Sequence, residues 1–479
     1  MAGSLGSRAI KMAAGALVLG GLATWGSVAA QVSEDPALAL KDNLAAIVAH
    51  AENQGDMETK VGVYVKVLEN GRVLFSSDGL TPMIPASNLK VVSTATALSL
   101  LGPNYRLTTE LRGSLPDARG VVAGNLYLRG GGDPTITPPY NQPATQPLSR
   151  FIEELKKAGV REIAGDLVAD DSIFDRHYLP DGWKEHYRLD AFSAPVAGLS
   201  LNGNMVEAIL QGGGASLEPA TSTVTIRTNY DNSGTTTIQR PRGQNDLLAT
   251  GYPPAGEIRR QICVEDPPLF TIGAFKELLD QAQIKVRGQV RLVDTQGEAA
   301  RVGDLHLYAV HFSLPLAEII REANHESDNL FTEHLFKLAG QVNYGQGTAQ
   351  TGFQACLDFF EANDLDSQDL HMVDGCGLST LNRISPSQLV NVLDAMDRSY
   401  YRSWFKESLP HAGRGTLWGR LGGCEVRAKT GTLDHDSALS GYVLTASGQE
   451  LAFSVIVNDA PIWLAVETQD QIVQTLSYF

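Results

Sequence analysis

The sequence predicts an α/β (α+β) protein in which one antiparallel sheet, flanked by helices, is interrupted by a large β-rich insertion. Three observations support this fold class. A helix, a hairpin and a second helix are predicted near the N-terminus, helices and three strands near the C-terminus, and short strands between them. Because strands from both ends can share one sheet, the simplest arrangement is one α/β domain with an insertion.

The N-terminal elements have the clearest patterns. Residues 38–51 have the apolar spacing of an amphipathic helix. Valines alternate with other residues at the start of the segment 60–75, and an Asn-Gly pair gives the turn signal of a β-hairpin. A second helix is predicted from about Ser87, and Gly102 and Pro103 end it.

The middle and C-terminal parts of the chain differ in the secondary structure that their sequence predicts. Short strand-like runs alternate with Gly-, Pro- and Asn-rich turns over residues 107–303, which predicts one or two β-rich modules interrupted by two helical runs. Helical patterns return within residues 313–340 and 385–397. Three strands are predicted within residues 424–459, and residues 462–479 form a closing helix.

Residues 1–30 have the pattern of a secretory signal peptide. Arg8 and Lys11 precede an apolar run, and small residues suit cleavage after Ala29 or Ala30. The alternative is a membrane anchor, but the run is shorter than the ~20 residues that span a bilayer. We therefore expect export to the periplasm or an extracytoplasmic surface, with at most peripheral membrane contact.

Charge and cysteine content restrict the possible partners. The formal net charge of the 479-residue chain is −16, which disfavours binding to nucleic acid. The sequence has no Cys-x-x-Cys and no His-Glu-x-x-His, so no metal and no other cofactor is predicted. The sequence specifies neither an oligomeric state nor the pairing of its four cysteines, Cys263, Cys356, Cys376 and Cys424.

Ser87 and Lys90 lie three residues apart at the start of the second helix. This spacing puts both side chains on one face, so the lysine can reach the serine hydroxyl. A neutral, buried lysine is able to act as a base toward a serine nucleophile. The alternative is that Ser87 caps the helix and Lys90 lies on the surface, because serine is a favoured N-cap.

Two further motifs follow downstream. Ser327, Asp328 and Asn329 lie between two helical runs, where they either face a cleft or cap the next helix. The predicted strand near the C-terminus carries Lys429, Thr430, Gly431 and Thr432, which offer a cation, two hydroxyls and a glycine beside which a substrate backbone could pass.

The three motifs in this order, Ser-x-x-Lys, Ser-Asp-Asn and Lys-Thr-Gly, resemble those of serine penicillin-binding proteins and β-lactamases. Ser87 and Ser327 are 240 residues apart, a separation too long for a compact β-lactamase. The chain also contains the stretches "GGGDPT", "DDSIFD", "FSAPVAGLSLNGN" and "VDGCGLS". With these stretches and the long separation, the chain resembles penicillin-binding protein 4 type D-alanyl-D-alanine carboxypeptidase/endopeptidases, peptidase family S13.

The resemblance implies a β-lactamase/transpeptidase-like domain interrupted by the insertion. We expect a penicillin-binding domain in two parts, residues 31–105 and 306–479, with inserted β-rich domains over residues 106–305. It also implies that the partners are peptidoglycan stem peptides and β-lactam antibiotics, and that no cofactor takes part.

The resemblance further implies roles for the motif residues. Ser87 attacks the bond between two D-alanines, Lys90 takes the proton, and Ser327 relays a proton to the leaving amine. Asn329 and Asp328 help to hold the substrate. Lys429, Thr430 and Thr432 bind the terminal carboxylate of the substrate, and Gly431 lets its backbone pass close to the strand. The N–H groups of Ser87 and Thr432 form the oxyanion hole.

Two positions depart from the family pattern. Thr380 stands where relatives have an Arg for a diaminopimelate carboxylate, and Tyr187 stands where they have an Asp for its ammonium. These departures leave undecided which substrate side chain the enzyme prefers. The sequence also leaves undecided whether Cys376 and Cys424 form a disulfide. The competing functions are a β-lactamase, which needs an additional base such as a Glu, and a catalytically idle cell-wall-binding scaffold.

Overall fold

The structure is a computed structural model that describes residues 36–55, 58–241 and 243–479. The predicted signal peptide, residues 1–30, lies outside the described residues. Within them, no helix combines the length and the apolar character needed to cross a bilayer. The α-helices are α1 (Pro36–Gln54), α2 (Lys90–Leu101), α3 (Gln146–Lys157), α4 (Pro267–Gln281), α5 (Gln296–Val302), α6 (Leu316–Arg321), α7 (Asn329–Tyr344), α8 (Ala349–Ala362), α9 (Pro386–Arg398), α10 (Arg402–Ser408) and α11 (Ile462–Tyr478).

The strands lie in five sheets. They are β1 (Lys60–Val67), β2 (Val73–Ser77), β3 (Thr108–Gly113), β4 (Val121–Val122), β5 (Leu126–Gly130), β6 (Glu162–Ile163), β7 (Leu167–Asp170), β8 (Met205–Gln211), β9 (Gly214–Glu218), β10 (Ile226–Tyr230), β11 (Thr237–Gln239), β12 (Leu247–Gly251), β13 (Ile258–Cys263), β14 (Lys285–Val286), β15 (Val290–Leu292), β16 (His306–Phe312), β17 (Glu425–Thr432), β18 (Ser437–Leu444) and β19 (Glu450–Asn458).

The main sheet joins both ends of the chain. Its strand order is β17-β18-β19-β1-β2, and every neighbouring pair is antiparallel. Strand β1 pairs with β19 along its whole length, from Lys60 opposite Asn458 to Val67 opposite Leu451. The predicted hairpin and the three predicted C-terminal strands are therefore confirmed, and they share one sheet.

Helices cover both faces of this sheet. On one face, Tyr442 and Ile456 pack into a core with α2, α7, α8 and α9. On the other face, Val63 and Val455 pack against α1 and α11. The predicted α/β class, an antiparallel sheet flanked by helices, is confirmed, whereas α5, α8 and α10 are absent from the sequence prediction.

The middle segment, from β3 to β16, forms the other four sheets around one apolar core. Its largest sheet has the strand order β15-β7-β5-β3-β16. Leu128 of β5, Val206 of β8 and Leu247 of β12 share a core with Phe151 of α3 and Phe275 of α4. Because β16 pairs with β3, this sheet extends to Phe312, beyond residue 305.

The middle segment contacts helix α7 directly. His334 Nε2 lies 3.1 Å from both the Ala197 carbonyl oxygen and the Ser200 hydroxyl. One turn later, Lys337 Nζ forms an ion pair of 2.7 Å with Asp175. Since both α7 residues are buried, these contacts fix the helix whose first residue is Asn329.

Candidate active site

Ser87 lies in a 3-10 turn, Ala86–Leu89, directly before α2. Pro85 occupies the N-cap position of this turn, and no side chain caps either the turn or α2. The Ser87 Oγ instead lies 2.9 Å from Lys90 Nζ. The alternative that Ser87 is a helix cap and Lys90 a surface lysine is therefore wrong.

Lys90 is completely buried, with an exposed fraction of 0%. Its Nζ lies 2.6 Å from Asn329 Oδ1 and 2.8 Å from the Cys376 carbonyl oxygen, in addition to Ser87 Oγ. A neutral amine has two N–H donors and one lone pair. If the two donors go to Asn329 and Cys376, the lone pair faces the Ser87 hydroxyl.

Ser327 and Lys429 form a second serine–lysine pair in the same cleft. Lys429 Nζ on β17 donates to Ser327 Oγ over 2.9 Å and to the Thr430 carbonyl oxygen over 2.7 Å. Ser327 has a left-handed backbone, with φ at 63°, where the chain turns from a π-helical segment into α7. Such a conformation costs energy for a residue with a Cβ, and it is often found at functional sites.

Asp328 and Asn329 have different tasks. The Asp328 carboxylate accepts the Phe331 N–H at 2.9 Å and so caps α7. This cap is one of the two alternatives that the sequence allows for the motif, and a contact of Asp328 with the substrate stays a prediction. Asn329 contacts Lys90 through Oδ1, and its Nδ2 donates to the Phe192 carbonyl oxygen over 2.7 Å.

Strand β17 supplies one wall of the cleft from the edge of the main sheet. Thr430 is half-buried and donates its hydroxyl to Thr416 Oγ1 over 2.7 Å, whereas Thr432 is exposed. Lys429, the residue before Thr430, is completely buried. The alternation of the strand thus separates a buried amine from two hydroxyls at or near the surface.

Gly431 has the protein's own backbone as its close neighbour. A Cβ at this position would lie 2.7 Å from the Ser87 nitrogen and 3.1 Å from the Asn88 nitrogen. On this side of β17, the turn that carries the nucleophile therefore fills the space beside Gly431. The passage of a substrate backbone beside Gly431 stays a prediction.

We expect Gly431→Ala to destabilise the protein by about 1–3 kcal/mol, because the backbone of the Ser87 turn must move to make room. Urea unfolding followed by circular dichroism measures this change. The matched control is Gly422→Ala, where an added Cβ meets nothing within 4 Å. Equal stability of the two variants would contradict the close packing of β17 on the turn.

Burial lowers the pKa of both active-site lysines below that of a free lysine. For Lys90, acidic groups around it, among them Asp374, oppose this shift. For Lys429, the charge of Lys90 adds to the effect of burial, and the pKa is lowered well below its usual value. Two ammonium groups in one dry site repel each other, so the site favours a single proton shared between the two amines.

A loop, Asp374–Gly377, lies beneath the nucleophile. The Cys376 carbonyl contacts Lys90, and a Cβ at Gly377 would lie 1.8 Å from the Ala86 carbonyl oxygen. The Glu333 carboxyl accepts the N–H groups of Gly375 and Cys376, both at 2.7 Å. The sequence analysis missed Glu333, although its position four residues after Asn329 on a helix places both on one face.

Glu333, Asp374 and Cys376 also form a cluster of potential metal ligands, with one such atom from each residue within 4.8 Å of the others. Both Asp374 oxygens already accept hydrogen bonds: Oδ1 from Gly377 N–H and Asn382, and Oδ2 from Ser379 N–H and Trp183. We therefore infer that the carboxyl groups of this cluster hold the Asp374–Gly377 loop in place.

The four cysteines are free thiols, and no disulfide joins Cys376 to Cys424 in the described structure. Cys376 is buried beside the site, whereas Cys424 is partly exposed just before β17.

Tyr187 and Thr380 are the two departures from the family pattern. The Tyr187 ring makes an edge contact with the Phe192 ring, with 5.0 Å between the ring centroids, and the Phe192 carbonyl oxygen accepts a hydrogen bond from Asn329. Thr380 is partly exposed.

Sequence comparison gives one family over nearly the whole described chain. The family model "D-Ala-D-Ala carboxypeptidase 3 (S13) family" matches residues 40–478. The chain is 32% identical to a D-alanyl-D-alanine carboxypeptidase of Actinomadura sp. strain R39, over 89% of this chain and 83% of the relative. It is 27% identical to the D-alanyl-D-alanine carboxypeptidase DacB of Haemophilus influenzae, over 84% of this chain and 85% of that one.

Structural comparison gives the same fold. The crystal structure of penicillin binding protein 4 (dacB) from Haemophilus influenzae matches with a TM-score of 0.77 and 23% identity, over 90% of this chain and 99% of that one. Fold, sequence and family model therefore agree, and the chain belongs to the D-Ala-D-Ala carboxypeptidase 3 (S13) family.

Proposed function

We propose that this serine-type D-Ala-D-Ala carboxypeptidase forms its acyl-enzyme on Ser87, with Lys90 as the base. The observation that carries the proposal is the buried Lys90 amine 2.9 Å from the half-buried Ser87 hydroxyl. Acceptors at Asn329 and Cys376 take the two N–H groups of the neutral amine, so its lone pair is directed at the hydroxyl proton. This geometry suits general-base activation of a serine.

In the acylation step, Ser87 Oγ bonds to the carbonyl carbon of the penultimate D-alanine, and its proton passes to Lys90 Nζ. When the tetrahedral intermediate collapses, the peptide C–N bond breaks and the leaving amine takes a proton. Ser327 gives its hydroxyl proton to this amine and takes a proton from the ammonium group of Lys429, its hydrogen-bond partner. Water then hydrolyses the Ser87 ester and restores the free hydroxyl.

The terminal carboxylate of the substrate binds at β17. Thr430 and Thr432 offer hydroxyl groups, and Lys429 offers a positive charge behind them. A bound carboxylate stabilises the proton on Lys429, which leaves Lys90 as the neutral amine of the pair. The oxyanion hole consists of the N–H groups of Ser87 and Thr432, a pairing supported by the close approach of β17 to the Ser87 nitrogen.

The substrates that we propose are peptidoglycan stem peptides that end in D-Ala-D-Ala, and bonds to a cross-linking amine are cut by the same steps. β-Lactams are the corresponding inhibitors, since their strained amide replaces the D-Ala-D-Ala bond. Such a substrate lies outside the cytoplasm, in agreement with the predicted signal peptide, and the enzyme acts there. The penicillin binding protein 4 from Haemophilus influenzae also has a structure complexed with a β-lactam.

Incubation with fluorescent penicillin distinguishes this function from its two alternatives. We expect a stable covalent adduct together with release of D-alanine from a D-Ala-D-Ala pentapeptide, because Lys90 supplies the base for acylation, whereas rapid release of penicillin needs an additional base. Gel fluorescence measures the adduct, and a D-alanine assay measures the release. Rapid turnover of the penicillin indicates a β-lactamase, and absence of any label indicates an idle scaffold.

A further inference from the structure

The backbone of the Asp374–Gly377 loop is held by two buried carboxyl groups. Glu333 accepts the N–H groups of Gly375 and Cys376, and Asp374 accepts that of Gly377. The three consecutive N–H groups thus point toward the carboxyls. The Cys376 carbonyl points the other way, toward Lys90 Nζ at 2.8 Å.

The two carboxyl groups share one dry region but differ in their partners. Asp374 accepts four hydrogen bonds, including those of Trp183 Nε1 and Asn382 Nδ2. Glu333 accepts two, both through Oε1, and its buried Oε2 has no hydrogen-bond partner in the described structure. Adjacent buried carboxylates repel each other, so the negative charge favours Asp374 and the proton favours Glu333.

Burial and the neighbouring Asp374 raise the pKa of Glu333 to about 8. The carboxyl of Glu333 is therefore neutral at pH 7 and ionises above about pH 8. An ionised Glu333 raises the proton affinity of Lys90, because it adds a negative charge near the amine. The ionisable groups that surround Lys90 are Asp328 and Glu333 from the α7 region, Asp374 and Cys376 from the loop, and Lys429 from β17.

We propose that Glu333 is a positioning residue for the base: its carboxyl holds the loop so that the Cys376 carbonyl takes one N–H of Lys90. The proposal rests on the function proposed for Ser87 and Lys90. It adds a residue that acts through the Asp374–Gly377 loop and does not touch the substrate.

Penicillin acylation of the full chain tests the proposal, because stopped-flow measurement separates the binding constant from the acylation rate constant. We expect Glu333→Ala to lower the acylation rate constant at least 100-fold while the binding constant changes less than about threefold. The effect falls on the rate constant because Lys90 is no longer held in the position from which it accepts the Ser87 proton. Glu333→Gln keeps both acceptor contacts and cannot ionise. Its rate constant at pH 7 stays within about threefold of the wild-type value.

The conservative variant provides the readout that a purely structural role would not change. Glu333→Gln restores the acylation rate constant that Glu333→Ala loses, because the amide oxygen can still accept the N–H groups of Gly375 and Cys376. The matched control is Lys337→Met, which removes another buried charge from α7 without touching the loop. We expect this control to lose stability and to keep the wild-type acylation rate constant.

The outcomes separate this inference from the proposed function. A folded Glu333→Ala with a wild-type rate constant, or a folded Glu333→Gln with a rate constant as low as that of Glu333→Ala, overturns the role of Glu333 only. If Glu333→Ala does not fold, the rate constant of Glu333→Gln at pH 7 decides. Absence of any acylation in the wild type overturns the proposed function and this inference with it.

Discussion

Ser87→Ala is expected to abolish release of D-alanine from a D-Ala-D-Ala pentapeptide, with a fall in kcat on the order of 10⁴-fold or more. The substitution removes the oxygen that we propose as the nucleophile, while Lys90 and the wall of β17 stay in place. The same variant is expected to carry no penicillin label. A D-alanine assay and gel fluorescence on one protein preparation measure both effects.

The matched control is Ser99→Ala, the same substitution on the same helix. The Ser99 hydroxyl is partly buried and faces Met396, away from the cleft. We expect wild-type kcat and wild-type labelling from this control. Release of D-alanine by Ser87→Ala at a rate near that of the control would show that another group is the nucleophile.

Lys90→Met is expected to have the next largest effect, a fall in the acylation rate constant of about 10²- to 10⁴-fold, as for loss of a general base. Lys90→Arg is expected to fall to a similar extent. Arginine keeps the positive charge but stays protonated, so it cannot accept the Ser87 proton. An active Lys90→Arg variant would mean that this position acts through its charge and not as a base.

The pH dependence of the wild type gives an independent measurement. Only the neutral form of Lys90 accepts a proton, so the acylation rate constant rises as pH increases through the pKa of Lys90. Burial lowers that pKa, which moves the rise to lower pH than for a free lysine. A rate constant that falls steadily from acid to neutral pH would contradict the assignment.

Much of the fold follows from local sequence patterns. The alternating valines of β1, the Asn-Gly turn and the three C-terminal strands have clear periodicities, and their elements lie where the sequence predicts them. Ser-x-x-Lys, Ser-Asp-Asn and Lys-Thr-Gly identify the family because their order and spacing are specific. These are properties of short segments, and short segments are read reliably from sequence.

Local patterns left the surroundings of two motif residues open. The cap at Asp328 is a local contact with Phe331, and it is one of the two alternatives that the sequence allows. The atoms beside Gly431 belong to the Ser87 turn, which lies hundreds of residues away in the chain, so no window of sequence contains that contact.

The sequence by itself determined the family, the α/β class and the pair of Ser87 and Lys90, because these depend on residue type and spacing. Only the tertiary structure decided how the base is directed. Asn329 and Cys376, which are 239 and 286 residues from Lys90, supply the acceptors of its amine, and Glu333 holds the loop below. A hydrogen bond has strict distance and direction, and only the folded chain sets these between residues so far apart.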